Sequence, residues 1–301
     1  MTQEDSLTKG RGLRLPGGRF LAFRQRPLVM GILNITPDSF SDGGLYHAVE
    51  AAVERGLEML EEGADLLDLG AESTRPGGGV YGDGAHEVPE AEELQRLLPV
   101  LEALRSRVTA PLSVDTRKGE VARRALESGA DLINDISMLS DPALCRAVAD
   151  ARCPVIIMHS RGQLATMQRE IQFDDVVEEV RSELAAAAGR LLDLGVEEEL
   201  IVLDPGIGFG KTAEQNLSLI KGLPRLANLG HPLLLGASRK SFMAATLEAA
   251  GIGSPPPTER LAGSLAVAAW AARARTEILR VHDVAATRQC LEIWRGLEEA
   301  A

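Results

Sequence analysis

Two carboxylates and an amide stand at the ends of short apolar runs: Asp204 closes Leu200 to Leu203, Asp115 closes Pro111 to Val114, and Asn134 follows Leu132-Ile133. The carboxylates accept hydrogen bonds, and the amide both donates and accepts. Together they suit a planar heterocycle that carries amino and ring N–H groups. Asp204 opens onto a loop containing Gly206, Gly208 and Gly210, and glycines let backbone N–H groups approach a ligand closely. A phosphate-cradling P-loop is excluded on spacing, because it needs a glycine five residues before Gly210 and that position is Pro205. A second set of side chains, Arg75, Lys240, Arg280 and His282, gathers positive character on a chain whose formal net charge is −12. Such a set suits a phosphate group on the same substrate. The acidic balance argues against a nucleic-acid or anionic-membrane surface. Cys145, Cys153 and Cys290 are far apart with no C-x-x-C pair, and the five histidines show no H-E-x-x-H spacing, so reduced thiols fit better than a disulfide frame or a zinc site.

The elements that must position these residues alternate along the chain. Apolar runs at Leu28–Asn34, Leu66–Gly70, Pro111–Asp115, Asp131–Asp135, Pro154–His159, Leu200–Asp204, Pro232–Ala237 and Glu277–His282 read as strands buried on both faces. Between and after them, Ala48–Glu62, a leucine-rich stretch around Leu94–Leu104, Lys118–Ser128, Pro142–Ala151, Phe173–Leu194, Asn216–Leu226, Thr258–Arg275 and Ala285–Leu297 have helical character. Eight strands alternating with eight helices in 301 residues predict an α/β fold, a single (β/α)8 TIM barrel with its active site at the C-terminal ends of the strands. A doubly wound open sheet is the alternative, and it lacks the G-x-G-x-x-G expected after its first strand. Residues 1–26 read as a polar, partly flexible N-terminal extension and 27–301 as the barrel. In that barrel every strand exit faces one mouth, and nearly every exit is polar: Asn34, Asp68 with Glu72, Asp115, Asn134, His159, Asp204, Lys240, and Arg280 with His282. No stretch of about 18 apolar residues occurs, which predicts a cytoplasmic protein.

The motifs at those exits resemble the dihydropteroate synthases. Met30 to Gly44, reading M-G-I-L-N-I-T-P-D-S-F-S-D-G-G, is similar to that family's first signature, and Glu72 to Gly77, E-S-T-R-P-G, to its second. D-T-R-K at 115–118, I-N-D at 133–135, D-P-G-I-G-F-G-K at 204–211, S-R-K-S at 238–241 and R-V-H-D at 280–283 follow in the family's order. The resemblance spans Leu28 to Leu297. It departs from the pattern in the segment M-H-S-R-G-Q-L-A-T-M-Q after the fifth strand and in a longer, glycine-rich second loop, Gly77 to Glu87.

The resemblance implies condensation of (7,8-dihydropterin-6-yl)methyl diphosphate with 4-aminobenzoate, releasing diphosphate, in folate synthesis. It implies that Asp115, Asn134, Asp204 and Lys240 hold the pterin with Met158 packed against it, and that Thr74, Arg75, Arg280 and His282 bind the phosphates. Lys240, Asp115, Asp204 and Arg280 would be the catalytic set. Asn34 would ligate Mg2+, and Phe40, Thr74, Pro76, Phe209 and Ser241 would border the aminobenzoate, in the pocket that sulfonamides occupy. No covalent nucleophile is needed, since the arylamine attacks with its own lone pair. A pterin module for corrinoid-dependent methyl transfer is the rival class; it has no use for a diphosphate cluster. An inactive scaffold barrel is disfavoured by the completeness of the site. The helix at Arg260–Arg275 is rich in small and apolar residues on more than one face. Packing on the barrel alone explains that equally well, and the resemblance points to a homodimer.

Overall fold

The computed structural model describes residues 11–35, 44–72, 88–162 and 172–300. It opens with a short antiparallel hairpin, β1 (Gly12–Arg14) and β2 (Phe20–Ala22), and then alternates strands with helices. The first half runs β3 (Leu28–Asn34), α1 (Gly44–Glu61), β4 (Leu66–Gly70), α2 (Glu90–Arg107), β5 (Leu112–Asp115), α3 (Gly119–Glu127), β6 (Leu132–Asp135) and α4 (Pro142–Ala151). The second half continues with β7 (Val155–Met158), α5 (Val176–Asp193), β8 (Ile201–Asp204), α6 (Ala213–Lys221), α7 (Leu223–Ala227), β9 (Leu234–Leu235), α8 (Ser241–Ala249), α9 (Leu261–Arg273), β10 (Ile278–Val281) and α10 (Val284–Glu299). The eight strands β3 to β10 pair in parallel in the order β8-β7-β6-β5-β4-β3-β10-β9, and a parallel bridge from Leu203 to Leu233 brings β8 back to the start of β9. The result is a nearly closed (β/α)8 barrel, as the alternation of the sequence predicts.

Side-chain alternation along each strand builds two cores. Val29, Leu67, Leu69, Val114, Ile133, Ile157, Leu203 and Leu279 point outward and pack under the helices. Leu28, Met30, Leu66, Leu132, Ile156, Val202, Leu234 and Ile278 point inward and make the barrel's floor. The hairpin adds Leu13, Leu15, Leu21 and Phe23 to that inner cluster. The described part of the N-terminal extension thus plugs the lower end of the barrel, opposite the strand exits.

Three local details differ from the sequence reading. The expected helix Asn216–Leu226 starts earlier, because Thr212 and Gln215 form a reciprocal capping box, and it is split at Gly222, since Pro224 brings no N–H to continue the ladder. A separate helix, α8, begins within the S-R-K-S motif, and α9 starts at Leu261 rather than at 258. The seventh barrel strand shrinks to Leu234–Leu235. Among the described residues no helix is long and apolar enough to cross a membrane.

Candidate active site

The polar site sits one inward-facing layer above the apolar floor. Two residues beyond Leu66, Leu132, Ile156, Val202 and Ile278 on the same strands come Asp68, Asn134, Met158, Asp204 and Arg280, so strand periodicity of two lifts these side chains into the mouth. Strand register sets Asp115 beside both Gly70 and Asn134, and Met158 beside Asp204.

Arg280 is the hub of the first cluster. Its Nε donates to Asp68 Oδ2 at 2.6 Å and its Nη2 to Asp115 Oδ2 at 2.8 Å, while Asn134 Nδ2 donates to Asp68 Oδ2 at 3.0 Å. Three oxygens in this cluster, Asp68 Oδ1, Asp115 Oδ1 and Asn134 Oδ1, are buried without a hydrogen-bond partner among the described residues. Burial, reinforced by Asp68, Glu93 and Asp135 and opposed by Arg280, pushes the Asp115 carboxyl up to about 7. Burial would favour a neutral Arg280, but the carboxylates of Asp68 and Asp115 more than offset it and hold the guanidinium charged.

The second cluster is the loop after β8. Asp204 Oδ1 accepts from the N–H of Gly206 at 2.8 Å, and burial raises its carboxyl against the pull of Lys240, Arg280 and Lys211. Lys240 donates to the Ile207 carbonyl and lies 4.3 Å from the centroid of the Phe209 ring. Burial brings Lys240 down to about 8, with Asp204 opposing, so it stays largely charged at neutral pH. Gly206 and Gly208 have φ of 66° and 83°, and a Cβ on either would collide, with the His159 carbonyl oxygen at 1.8 Å and with Lys240 Cδ at 2.9 Å. Ile136, Met158 and Phe209 form a small apolar cluster of their own.

The remaining expected residues divide. His282 Nδ1 lies 3.1 Å from Ser238 Oγ, and burial, then Arg280 and Arg239, lowers its pKa to about 4. Its expected share of the positive charge is therefore corrected: at neutral pH His282 offers a neutral N–H donor. Asn34 is exposed at the exit of β3, and Ser241 is partly buried in the first turn of α8. Phe40, Thr74, Arg75 and Pro76 lie outside the described residues. Glu72, placed at the mouth by the sequence, binds Lys118, Arg117 and the Val88 N–H, tying the end of β4 to the rest of the D-T-R-K motif.

The chain matches the family model described as pterin binding enzyme over residues 30–282. It is 42% identical to a dihydropteroate synthase from Synechocystis, the match covering 98% of this chain and all of that protein. The chain belongs to the dihydropteroate synthases. Among solved structures it is similar to the Xanthomonas albilineans dihydropteroate synthase with 4-aminobenzoic acid, with a TM-score of 0.85 and 45% identity over 96% of this chain and all of that one. It is also similar to the same enzyme in complex with 7,8-dihydropteroate, with a TM-score of 0.81 and 43% identity over the same shares.

For this transferase the sequence reading names the polar exits and leaves two groups without a role. Asp68 is the buried counter-ion that Arg280 and Asn134 share, and Ile136 joins Met158 at the apolar wall. Asp68 carries a legible signal, a carboxylate inside an apolar strand. Ile136 carries none, since one isoleucine after a strand is indistinguishable from core.

Proposed function

We propose that this mouth is where the dihydropteroate synthase reaction takes place, with the pterin ring bound between the Asp115–Asn134 pair and Asp204. The observation that carries the reading is the set of buried acceptors without partners, Asp115 Oδ1 and Asn134 Oδ1, beside Asp204. An unsatisfied buried acceptor costs about 1–3 kcal/mol, which ring N–H and amino donors would offset. Lys240 hydrogen-bonds the ring and offsets the charge of Asp204, and Met158 with Ile136 gives the ring an apolar face. Arg280, with two of its five N–H donors committed to carboxylates, turns others toward phosphate, together with His282, Thr74 and Arg75. Phe40, Thr74, Pro76, Phe209 and Ser241 border the aminobenzoate.

The arylamine lone pair attacks the exocyclic methylene carbon as the C–O bond to diphosphate breaks. The bonding pair leaves with the diphosphate oxygen, and the positively charged nitrogen formed by the attack releases one proton to water, leaving a secondary amine. Positive charge developing on the pterin methylene lies near Asp115 and Asp204, and negative charge on the leaving group lies near Arg280 and the His282 N–H. Positioning supplies the rest of the acceleration. Asn34 fits a role toward Mg2+: its amide oxygen is a hard donor, and Mg2+ commonly takes one or two protein ligands alongside water and substrate phosphates. When bound, Mg2+ would neutralise charge on the diphosphate.

The enzyme is further read as a cytoplasmic homodimer. Three free thiols, Cys145, Cys153 and Cys290, support a reducing compartment. Trp270 on α9 is 48% exposed, and Ile293 and Leu297 on the neighbouring α10 are 69% and 71% exposed, apolar surface that a second copy would cover. A coupled diphosphate-release assay tests the reaction. Release should require the pterin diphosphate, 4-aminobenzoate and Mg2+ together. Turnover undiminished by a chelator removes the role of Asn34, and release without 4-aminobenzoate removes direct attack.

A further inference from the structure

Lys211 closes the D-P-G-I-G-F-G-K motif and is not among the residues assigned to either substrate, yet its side chain is buried. Its Nζ lies 3.0 Å from His159 Nδ1, 3.0 Å from the Gly206 carbonyl oxygen and 2.9 Å from that of Phe209. On the far side of the imidazole, His159 Nε2 lies 3.0 Å from Glu183 Oε2, and Arg161 Nε donates to the same carboxylate at 3.0 Å. Burial would raise the Glu183 carboxyl, but Arg161 and His159 more than offset it, so the carboxylate accepts only and the imidazole proton must sit on Nε2. Nδ1 is then an acceptor. Lys211 therefore faces three acceptors, the number that the three donors of an ammonium saturate; burial, opposed by Asp204, brings its pKa down to about 7, and acceptors on all three sides favour the protonated form. Burial and the neighbouring Lys211 depress the His159 pKa to about 3, which agrees with a neutral ring.

The two carbonyls that Lys211 holds belong to the loop that orients Asp204. Gly206 donates its N–H to Asp204 Oδ1, and its carbonyl oxygen, in the following peptide unit, is bound by Lys211 and by the N–H of Phe209. Lys240 holds the Ile207 carbonyl. Gly206 packs directly on the His159 carbonyl oxygen, so the exit of β7 and the loop are fitted together as one unit. With a methionine at 211 the Phe209 carbonyl would lose its Lys211 donor and the Gly206 carbonyl would keep only the Phe209 N–H, loosening the loop that adjoins the contact between Asp204 and the Gly206 N–H.

We propose that Lys211 is a positioning residue of the pterin site, acting with neutral His159 to lock the 204–211 loop so that Asp204 and Phe209 face the substrate. This rests on the reading that Asp204 binds the pterin. The test is isothermal titration of the full-length protein with 6-hydroxymethylpterin, a ligand without the diphosphate, alongside thermal melting. Lys211→Met should raise the pterin Kd about tenfold or more. His159→Leu should do the same, while His159→Asn, whose amide oxygen can stand near the place of Nδ1, should stay within about threefold of the parent. A Lys211→Met protein that melts earlier yet binds pterin with unchanged affinity would show a merely structural role and overturn the inference. If Lys211→Met does not fold, equal affinities for His159→Leu and His159→Asn overturn it instead. Asp204→Asn is the control that separates the two readings. Unchanged affinity there moves the pterin site itself, whereas lost affinity there with none lost in Lys211→Met refutes only the role of Lys211.

Discussion

Replacing Arg280 with methionine should destabilise the folded protein and should do so more at alkaline than at acidic pH. Arg280 is the cation between two buried carboxylates, with contacts of 2.6 Å to Asp68 and 2.8 Å to Asp115. Without it, among the described residues, Asp68 keeps one donor, Asn134, and the Asp115 carboxylate keeps none. Removing one member of a buried ion pair costs about 3–5 kcal/mol. For a domain of this size each kcal/mol moves the melting temperature by roughly 2–4 °C, so the drop should be about 6–20 °C. The sign with pH follows from Asp115. Its folded pKa, already raised to about 7 by burial, rises further once Arg280 no longer lowers it, so the folded state binds the proton that the unfolded state releases near the ordinary carboxylate value. Stability therefore falls as pH rises from the unfolded value toward the raised one, and the deficit should be larger at about pH 8 than at about pH 5.5. Melts followed by circular dichroism at both pH values measure this, with Arg280→Met, Asp68→Asn and the double variant forming a cycle. The double variant should recover more than half of the loss, because the second change removes one of the two buried carboxylate charges left by the first, and the other, Asp115, with its raised pKa, takes up a proton. A deficit under about 1 kcal/mol, equal deficits at the two pH values, or a double variant no more stable than Arg280→Met would refute the hub role.

Three other outcomes are expected. Pterin affinity should weaken on acidification, because a ligand offering N–H donors needs Asp115 ionised: with the free-state value at about 7, the competent fraction falls from about nine-tenths at pH 8 to about one-tenth at pH 6, an approximately tenfold rise in apparent Kd by equilibrium titration, and a flat profile over that range would detach Asp115 from the ring. Asp204→Asn should cost about 1–3 kcal/mol of pterin binding, roughly 5- to 150-fold in Kd, with a melting temperature close to the parent's, since an amide turns only one oxygen toward the ring donors. Phe23→Ala should lower stability by about 3–5 kcal/mol in a denaturant titration while leaving the pterin Kd unchanged, because Phe23 plugs the barrel at the end opposite the strand exits; a change below about 1 kcal/mol would mean the hairpin is dispensable.

The local sequence determined the kind of chemistry and the direction in which it points. Strand periodicity of two is a property of neighbouring residues, so Asp204, two positions beyond Val202, and Asn134, two beyond Leu132, can be placed on the inward face without knowing any distant contact. Eight alternations and a polar residue at nearly every exit were enough to predict one mouth. What the sequence could not carry is which exits meet. Arg280 pairs with Asp68 and Asp115, 212 and 165 residues earlier, because barrel closure sets β10 against β3 and leaves these inward side chains facing one another. The pairing of neighbouring strands β7 and β8 puts Lys211 against His159, two groups whose spacing along the chain suggests nothing. Charge states were likewise undecided before folding: His282 reads as a cation in a basic motif, and burial beside Arg280 makes it neutral, since desolvation and neighbouring charge are sums over the whole tertiary surround. The hairpin, too, reads in sequence as part of a polar, partly flexible N-terminal extension. Leu13, Leu15, Leu21 and Phe23 become core only because an open barrel floor exists beneath them to be filled.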